Sequence, residues 1–177
     1  MVSHVTLNML QGETVIMYSK LVRLGSLFVA GGLATSGAVA HADNINTSGV
    51  LCQNFNAAEA LDIDYFTFGV RDINAAARSV ICSIPRSPLA TGATPEFFVD
   101  GENFGTTSTS CTLTIYTFGG TVTQSMSFTE SSTGTTRTWD HAVLFPVGSI
   151  GTFDYASALC TLPGGGQAVL FGITSVQ

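Results

Sequence analysis

Positive charge is scarce in this sequence. Its 177 residues hold six lysines and arginines against twelve aspartates and glutamates, and the one lysine, Lys20, lies near the start. Beyond residue 42, four arginines face eleven acidic residues, a net formal charge of −7. Such a surface cannot neutralise a run of phosphates, so nucleic acid and anionic membrane are excluded as partners. Histidine is scarcer still: of three, only His141 lies beyond residue 42. A Ser-His-Asp triad would have to use it as base, yet the adjacent Asp140 would point to the opposite face of a strand, and no G-x-S-x-G elbow exists. Paired metal ligands are also missing. The four cysteines, Cys52, Cys82, Cys111 and Cys160, are separated by 30, 29 and 49 residues, with no CxxC pair among them. That spacing excludes a zinc site, and no cofactor motif appears; "PGGGQ" is followed by neither lysine nor helix.

What is present begins with an export layout. Lys20 and Arg23 precede the apolar stretch "LGSLFVAGGLATSGAVA", and Ala40-His41-Ala42 supplies a small-x-small cleavage pattern. Residues 1–42 are expected to form a signal peptide, with Met17 as its start and Asp43 as the first mature residue. The glycines and serines in the stretch, and the lack of a basic cluster after it, argue against a retained membrane span. Leu51 before Cys52 excludes a lipid-anchored cysteine. An even cysteine count behind a signal peptide reads as two disulfides. Three pairings are formally open and spacing does not choose among them. Cys52–Cys82 with Cys111–Cys160 is favoured, because two independent loops result and because all but Cys52 alternate with apolar or small neighbours that face a core.

The 135 residues after the leader suffice for one domain with a core. They show short alternating runs and no long helical period. "CTLTIYTFGGTVTQSMSF" reads as a hairpin. A two-residue Gly119-Gly120 loop would place Cys111 opposite Phe128, Leu113 opposite Met126 and Ile115 opposite Gln124. Further strands are expected at about 61–70, 78–84, 96–102, 135–145, 151–160 and 167–176. "ESSTG", "FPVG" and "LPGGG" are expected to join the last four as a meander, and "IPRSPLATGATP" to carry the chain between sheets. "NFNAAEA" and "INAAAR" are long enough only for helical turns. The expected fold is all-β: an antiparallel β-sandwich, jelly-roll-like, with two disulfides.

Three candidates for chemistry remain. "LDIDY" would place Asp62 and Asp64 on one face of a strand, roughly 6.5–7 Å apart, a separation that glycosidase carboxylates can use. "VDGEN" offers Asp100, Glu102 and Asn103 as oxygen ligands, but an Asp-Gly turn between two strands explains the same letters. Tyr65, Tyr116, Trp139 and Tyr155 could present flat rings for a sugar.

"GVLCQNFN", "SVICSIPR", "CTLTIYTFGG" and "ALCTLPGGG" together resemble a set of small exported bacterial proteins of uncharacterised function that carry four cysteines behind a leader. Val80, Cys82, Ile84 and Arg86 match that set's V-x-C-P-I-x-R-like segment, while Ser83 stands where proline is expected. The resemblance implies the sandwich and the cysteine pairs, and no activity. The expected function is therefore a secreted or periplasmic, non-enzymatic binding or cell-envelope module, taking a carbohydrate or an envelope component. A small hydrolase working through Asp62 and Asp64 is the alternative.

Overall fold

The computed structural model describes residues 44–85, 94–132 and 137–176. The expected leader and Asp43 lie outside them. Eleven strands are found among the described residues: β1 (Ile45–Ser48), β2 (Gln53–Asn54), β3 (Ile63–Phe66), β4 (Gly69–Asp72), β5 (Arg78–Ile84), β6 (Glu96–Asn103), β7 (Ser108–Tyr116), β8 (Val122–Ser131), β9 (Thr138–Leu144), β10 (Tyr155–Leu162) and β11 (Ala168–Val176). They form two antiparallel sheets. The first, sheet A, runs β3-β4-β11-β6-β9, with β1 also pairing to β11. The second, sheet B, runs β2-β5-β10-β7-β8. The expected sandwich is the observed fold.

The core follows from alternation. Along β5 every second residue is buried (Val80, Cys82 and Ile84), and β7 does the same with Cys111, Leu113 and Ile115. Sheet A answers with Val70, Phe97, Val99, Leu170 and Ile173. Phe145 leaves the end of β9 to stack edge-on against Phe97, ring centres 5.8 Å apart. Each of these side chains contributes roughly 1.5–3 kcal/mol by leaving water.

In the β7–β8 hairpin the expected pairs are found: Cys111 with Phe128, Leu113 with Met126, Ile115 with Gln124. The turn differs. Thr117 N–H donates to Thr121 O at 2.8 Å and Gly120 N–H to Thr117 O at 2.9 Å, so the loop holds three residues. Only Gly120 takes a positive φ, of 82°. The third loop residue shifts the register by one, and a bulge at Thr123 shifts it back before Gln124.

The expected meander is not found. β8 belongs to sheet B, β9 to sheet A, β10 to sheet B and β11 to sheet A, so each of these connections crosses the sandwich. Turn chemistry states that a strand ends; it does not state which sheet receives the next one. The same exchange takes β5 to β6, as expected, although residues 86–93 themselves lie outside the described residues.

The single strand expected at 61–70 is a 3-10 turn, Ala57–Asp62, followed by the tight hairpin β3–β4. Asn56 caps that turn through its side chain, which accepts from Ala58 N–H at 3.1 Å. "INAAAR" forms no helical turn; Asp72 and Asn74 accept from Asn74 and Ala76 N–H and hold it as a bend. The Asp-Gly turn expected in "VDGEN" is also absent, because β6 runs through it. Gly101 stands there for a packing reason. A Cβ on it would lie 2.3 Å from Cζ2 of Trp139, which covers it from β9.

Both favoured disulfides form, Cys52–Cys82 and Cys111–Cys160, each with its Cα atoms 4.1 Å apart. Both lie along sheet B and neither spans the two sheets. Cys111 and Cys160 are direct neighbours across β7 and β10. Cys52 precedes β2 by one residue, where the β2–β5 register brings it opposite Cys82. Ala156 and Ala158 on β10 fill the rows beside these bridges with little bulk.

Candidate functional site

The carboxylates singled out in "LDIDY" are each paired with a different arginine. Asp62 ends the 3-10 turn rather than joining a strand, and its Oδ2 accepts from Nε of Arg78 at 2.8 Å. Glu59 reaches the same guanidinium at 3.4 Å. Asp64 lies on β3 opposite Arg71, which donates Nε and Nη2 to it at 2.9 and 2.7 Å. Hydrogen bonds from Asn74 and Arg78 hold the Asp62 carboxyl below its ordinary range. A glycosidase needs one carboxyl raised so that it keeps a proton to donate, and Asp62 is pushed the opposite way.

A different pair of carboxylates does meet. Asp100 and Asp140 are direct neighbours across β6 and β9 on the outer face of sheet A. Burial raises the Asp100 carboxyl first of all, and the charge of Asp140 and a hydrogen bond with it add to the shift. Two shallow depressions share Asp100 and Phe171. One, of about 430 Å³, has Gly172, Asn46 and Thr174 in its lining; the other, of about 400 Å³, has Asp140 and Thr138. The two carboxyl groups are in hydrogen-bond contact, whereas glycoside hydrolysis separates its pair by about 5–10 Å to admit the sugar or a water. Of the other oxygens of "VDGEN", Glu102 shares the outer face of β6 with Asp100, while Asn103 is buried on the opposite face. Among the described residues no group of three or more His, Cys, Asp or Glu side chains is placed to hold a metal.

A surface depression of about 510 Å³ lies where the short β2 meets β3. Its lining includes Phe55, Tyr65, Gln53, Asn54, Ala57 and the bridged Cys52. Phe55 is 59% exposed and Tyr65 41% exposed, although both are large rings. The arrangement is built from short-range rules. Ser48 caps a 3-10 turn at Gly49–Leu51, Cys52 is then tied to β5, and β2 pairs with β5 for only two residues. Asn54 Nδ2 donates to Asn56 O at 2.8 Å, fixing the bend after Phe55. Tyr65 enters from β3, whose alternate residue Asp64 carries the Arg71 ion pair on the other face. Gln53 and Asn54 bring amides, which both donate and accept, to a lining that also holds two rings.

His141 plays a structural part. Its Nδ1 lies 2.5 Å from Glu130 Oε1 and its ring stacks on Phe128, centres 3.8 Å apart, so it ties the β9 edge of sheet A to the β8 edge of sheet B. Trp139 is half-buried in the same seam against Phe128. Tyr116 and Tyr155 stack on each other at 5.1 Å on the outer face of sheet B.

No protein-family profile matches this chain, and no curated protein does. Partial similarity to solved structures is found. An isomalto-dextranase of Arthrobacter globiformis T6, in complex with panose, is similar over 75% of this chain at 11% identity and a TM-score of 0.43, but this chain spans only 23% of that enzyme. The apo module BiXyn10A CBM1 is similar at 9% identity and a TM-score of 0.45, over 75% of this chain and 96% of the module. The C-terminal CBM6 of the laminarinase LamC from Zobellia galactanivorans aligns over 76% of this chain and all of the module, at 11% identity and a TM-score of 0.39.

Of the aromatic candidates, Tyr65 alone lines the large depression. Phe55 was missed by sequence reading, for it sits in a turn outside any alternating run. Its one signal is a large apolar side chain between polar neighbours in "QNFNAA". The Asp100–Asp140 contact was missed because 40 residues separate them and only the β6–β9 register brings them together.

Proposed function

We propose that this chain is an exported, non-enzymatic carbohydrate-binding module, with the Phe55–Tyr65 depression as its sugar site. The observation that carries this reading is the pair of exposed rings around one depression whose lining also includes Gln53 and Asn54. A pyranose presents C–H faces that stack on rings and equatorial hydroxyls that pair with amides, and this lining offers both. It contains no charged side chain, so the ligand it suits is a neutral polysaccharide. The Cys52–Cys82 bridge supports the reading in two ways. It orders the segment that carries Gln53, Asn54 and Phe55 before any ligand arrives, and it persists in an oxidising compartment, in keeping with a signal peptide at residues 1–42.

The test is calorimetric titration with neutral oligosaccharides selected from a glycan array. Tyr65→Ala and Phe55→Ala should each weaken binding about 5- to 30-fold, the loss of one ring contact of roughly 1–2 kcal/mol. Phe153→Ala, which removes an exposed ring lining a different depression, should leave affinity unchanged. Equal loss in all three variants, or no binder among neutral glycans, refutes the assignment.

A further inference from the structure

We infer that two copies of this chain pair through β8, antiparallel, to join their five-stranded sheets into one ten-stranded sheet. β8 is the last strand of sheet B and ten residues long, and among the described residues no strand pairs with its outer edge. Such an edge is a template for another strand, and proteins usually guard it with lysine, proline or charge. β8 carries none of these between Val122 and Thr129, in a chain rich in acids elsewhere. Six successive residues, Val122–Ser127, are exposed, so Gln124 and Met126 are uncovered even though they continue the inner face of the sheet, Met126 at 40% exposure. Something of matching pattern is needed to cover them.

The strand itself supplies that pattern. On the outer face β7 and β8 already pair hydroxyl with hydroxyl: Ser110 with Thr129 at 2.9 Å, Thr112 with Ser127 at 2.8 Å and Thr114 with Ser125 at 3.2 Å. An antiparallel copy centred on Met126 repeats this, setting Ser125 against the partner's Ser127 in two symmetric pairs. On the inner face it sets Gln124 against the partner's Phe128 and Met126 against the partner's Met126, extending the apolar row. The regular pairing ends at the partner's Thr123 bulge, short of a place opposite Glu130, and no acid meets its own copy. A parallel pairing would oppose the two Glu130 carboxylates, which is unfavourable. The outer face of sheet A carries Asp100 and Asp140 side by side, so two acidic copies do not meet through it. The Phe55–Tyr65 depression lies at the opposite edge, between β2 and β3, and stays open in the dimer. A single strand pair is a small interface, so a dissociation constant on the order of 10–100 µM is expected.

The experiment is sedimentation equilibrium of the purified domain from about 1 µM to 1 mM, with thermal melts to verify folding. The unsubstituted chain should pass from monomer to dimer across that range. Ser125→Lys/Ser127→Lys and Ser125→Glu/Ser127→Glu, both at exposed outward positions, should each stay monomeric alone, through like-charge opposition. Mixed one to one, the two variants should form a heterodimer at least tenfold tighter than either homodimer. A monomer at all concentrations, a dimer that survives the double-lysine change, or a mixture that remains monomeric would each overturn the inference. Sugar binding is measured separately and is not a premise of it.

Discussion

Removing the Cys52–Cys82 bridge separates its two roles, ordering the site and holding the fold. The two disulfides close loops of 30 and 49 residues that do not overlap. On the chain-entropy account these contribute about 3.6 and about 4.1 kcal/mol by restricting the unfolded chain. Cys52→Ala/Cys82→Ala should therefore lower unfolding free energy by about 3–4 kcal/mol, and Cys111→Ala/Cys160→Ala by a similar amount. For a domain of this size either loss corresponds to a fall in Tm of roughly 10 °C. Urea titration with fluorescence and circular dichroism measures both, and coincident transitions would license the two-state reading. The variants should differ in binding. β2 is held to β5 by two residue pairs and the bridge, so without the bridge Gln53, Asn54 and Phe55 must be ordered by the ligand itself. β7 and β10 share seven residue pairs and stay in place without theirs. Glycan affinity should fall at least fivefold in the first variant and remain within twofold in the second. A stability loss under 1 kcal/mol for both, or equal effects on binding, would refute the reasoning.

Three further outcomes are expected. Gly101→Ala should destabilise by about 3 kcal/mol or prevent folding, because the added carbon meets Trp139 at 2.3 Å and Val169 O at 2.7 Å; urea midpoints measure it. Asp100→Asn should stabilise the domain at neutral pH. The Asp100 carboxyl is raised in the fold, so the native state loses stability as pH rises from the ordinary value of 3.8 through the raised one, and melts of the amide variant should lack that decline. Asp62 has the opposite sign: its lowered carboxyl stabilises above 3.8 and the contribution is lost as pH falls through its folded value, so Asp62→Asn should be less sensitive to acid than the unsubstituted chain.

Legibility in the sequence follows the range of the interaction. The Cys111–Phe128 register could be read from turn and alternation, both local. It survived a wrong turn because the bulge at Thr123 compensates one residue for one residue. The bulge keeps Met126 and Phe128 on the inner face, so burial corrects the register that the turn would otherwise slip. β1 and β2 went unread because strands of four and two residues carry no period. The split of β3 and β4 went unread because Thr67-Phe68 lacks the usual turn residues; the cross-strand pair of Asp64 with Arg71 and the edge contact of Phe66 with Phe68 hold that hairpin. Sheet assignment was the least readable level. Trp139 and His141 have the alternation of any half-buried strand, and only the seam against Phe128 and Glu130 reveals that β9 leaves the sheet of β8.

The two open edges of sheet B are treated in opposite ways, and the difference supports both functional readings. The β2 edge is short, bent by a 3-10 turn on each side and fixed by a disulfide, so it cannot template another strand. What it exposes is side chains, Phe55 among them, on a backbone fixed in advance. The β8 edge is long and regular beyond its bulge, with Val122–Ser127 exposed and no strand paired to it among the described residues. Charge is distributed to match. Arg71 and Arg78 are spent on Asp64, Asp62 and Glu59 near the β3 edge, while the outer face of sheet B carries hydroxyls from Ser79 to Thr129 and, among the described strand residues, no charged side chain. If acidity were simply a solubilising coat, these surfaces would share it. A charge scan tests this directly: Thr112→Asp, on the outer face of sheet B, should weaken dimerisation and leave glycan binding intact, and Gln53→Asp should do the reverse. Loss of both properties in either variant would mean that the two edges are coupled through the fold rather than built for separate contacts.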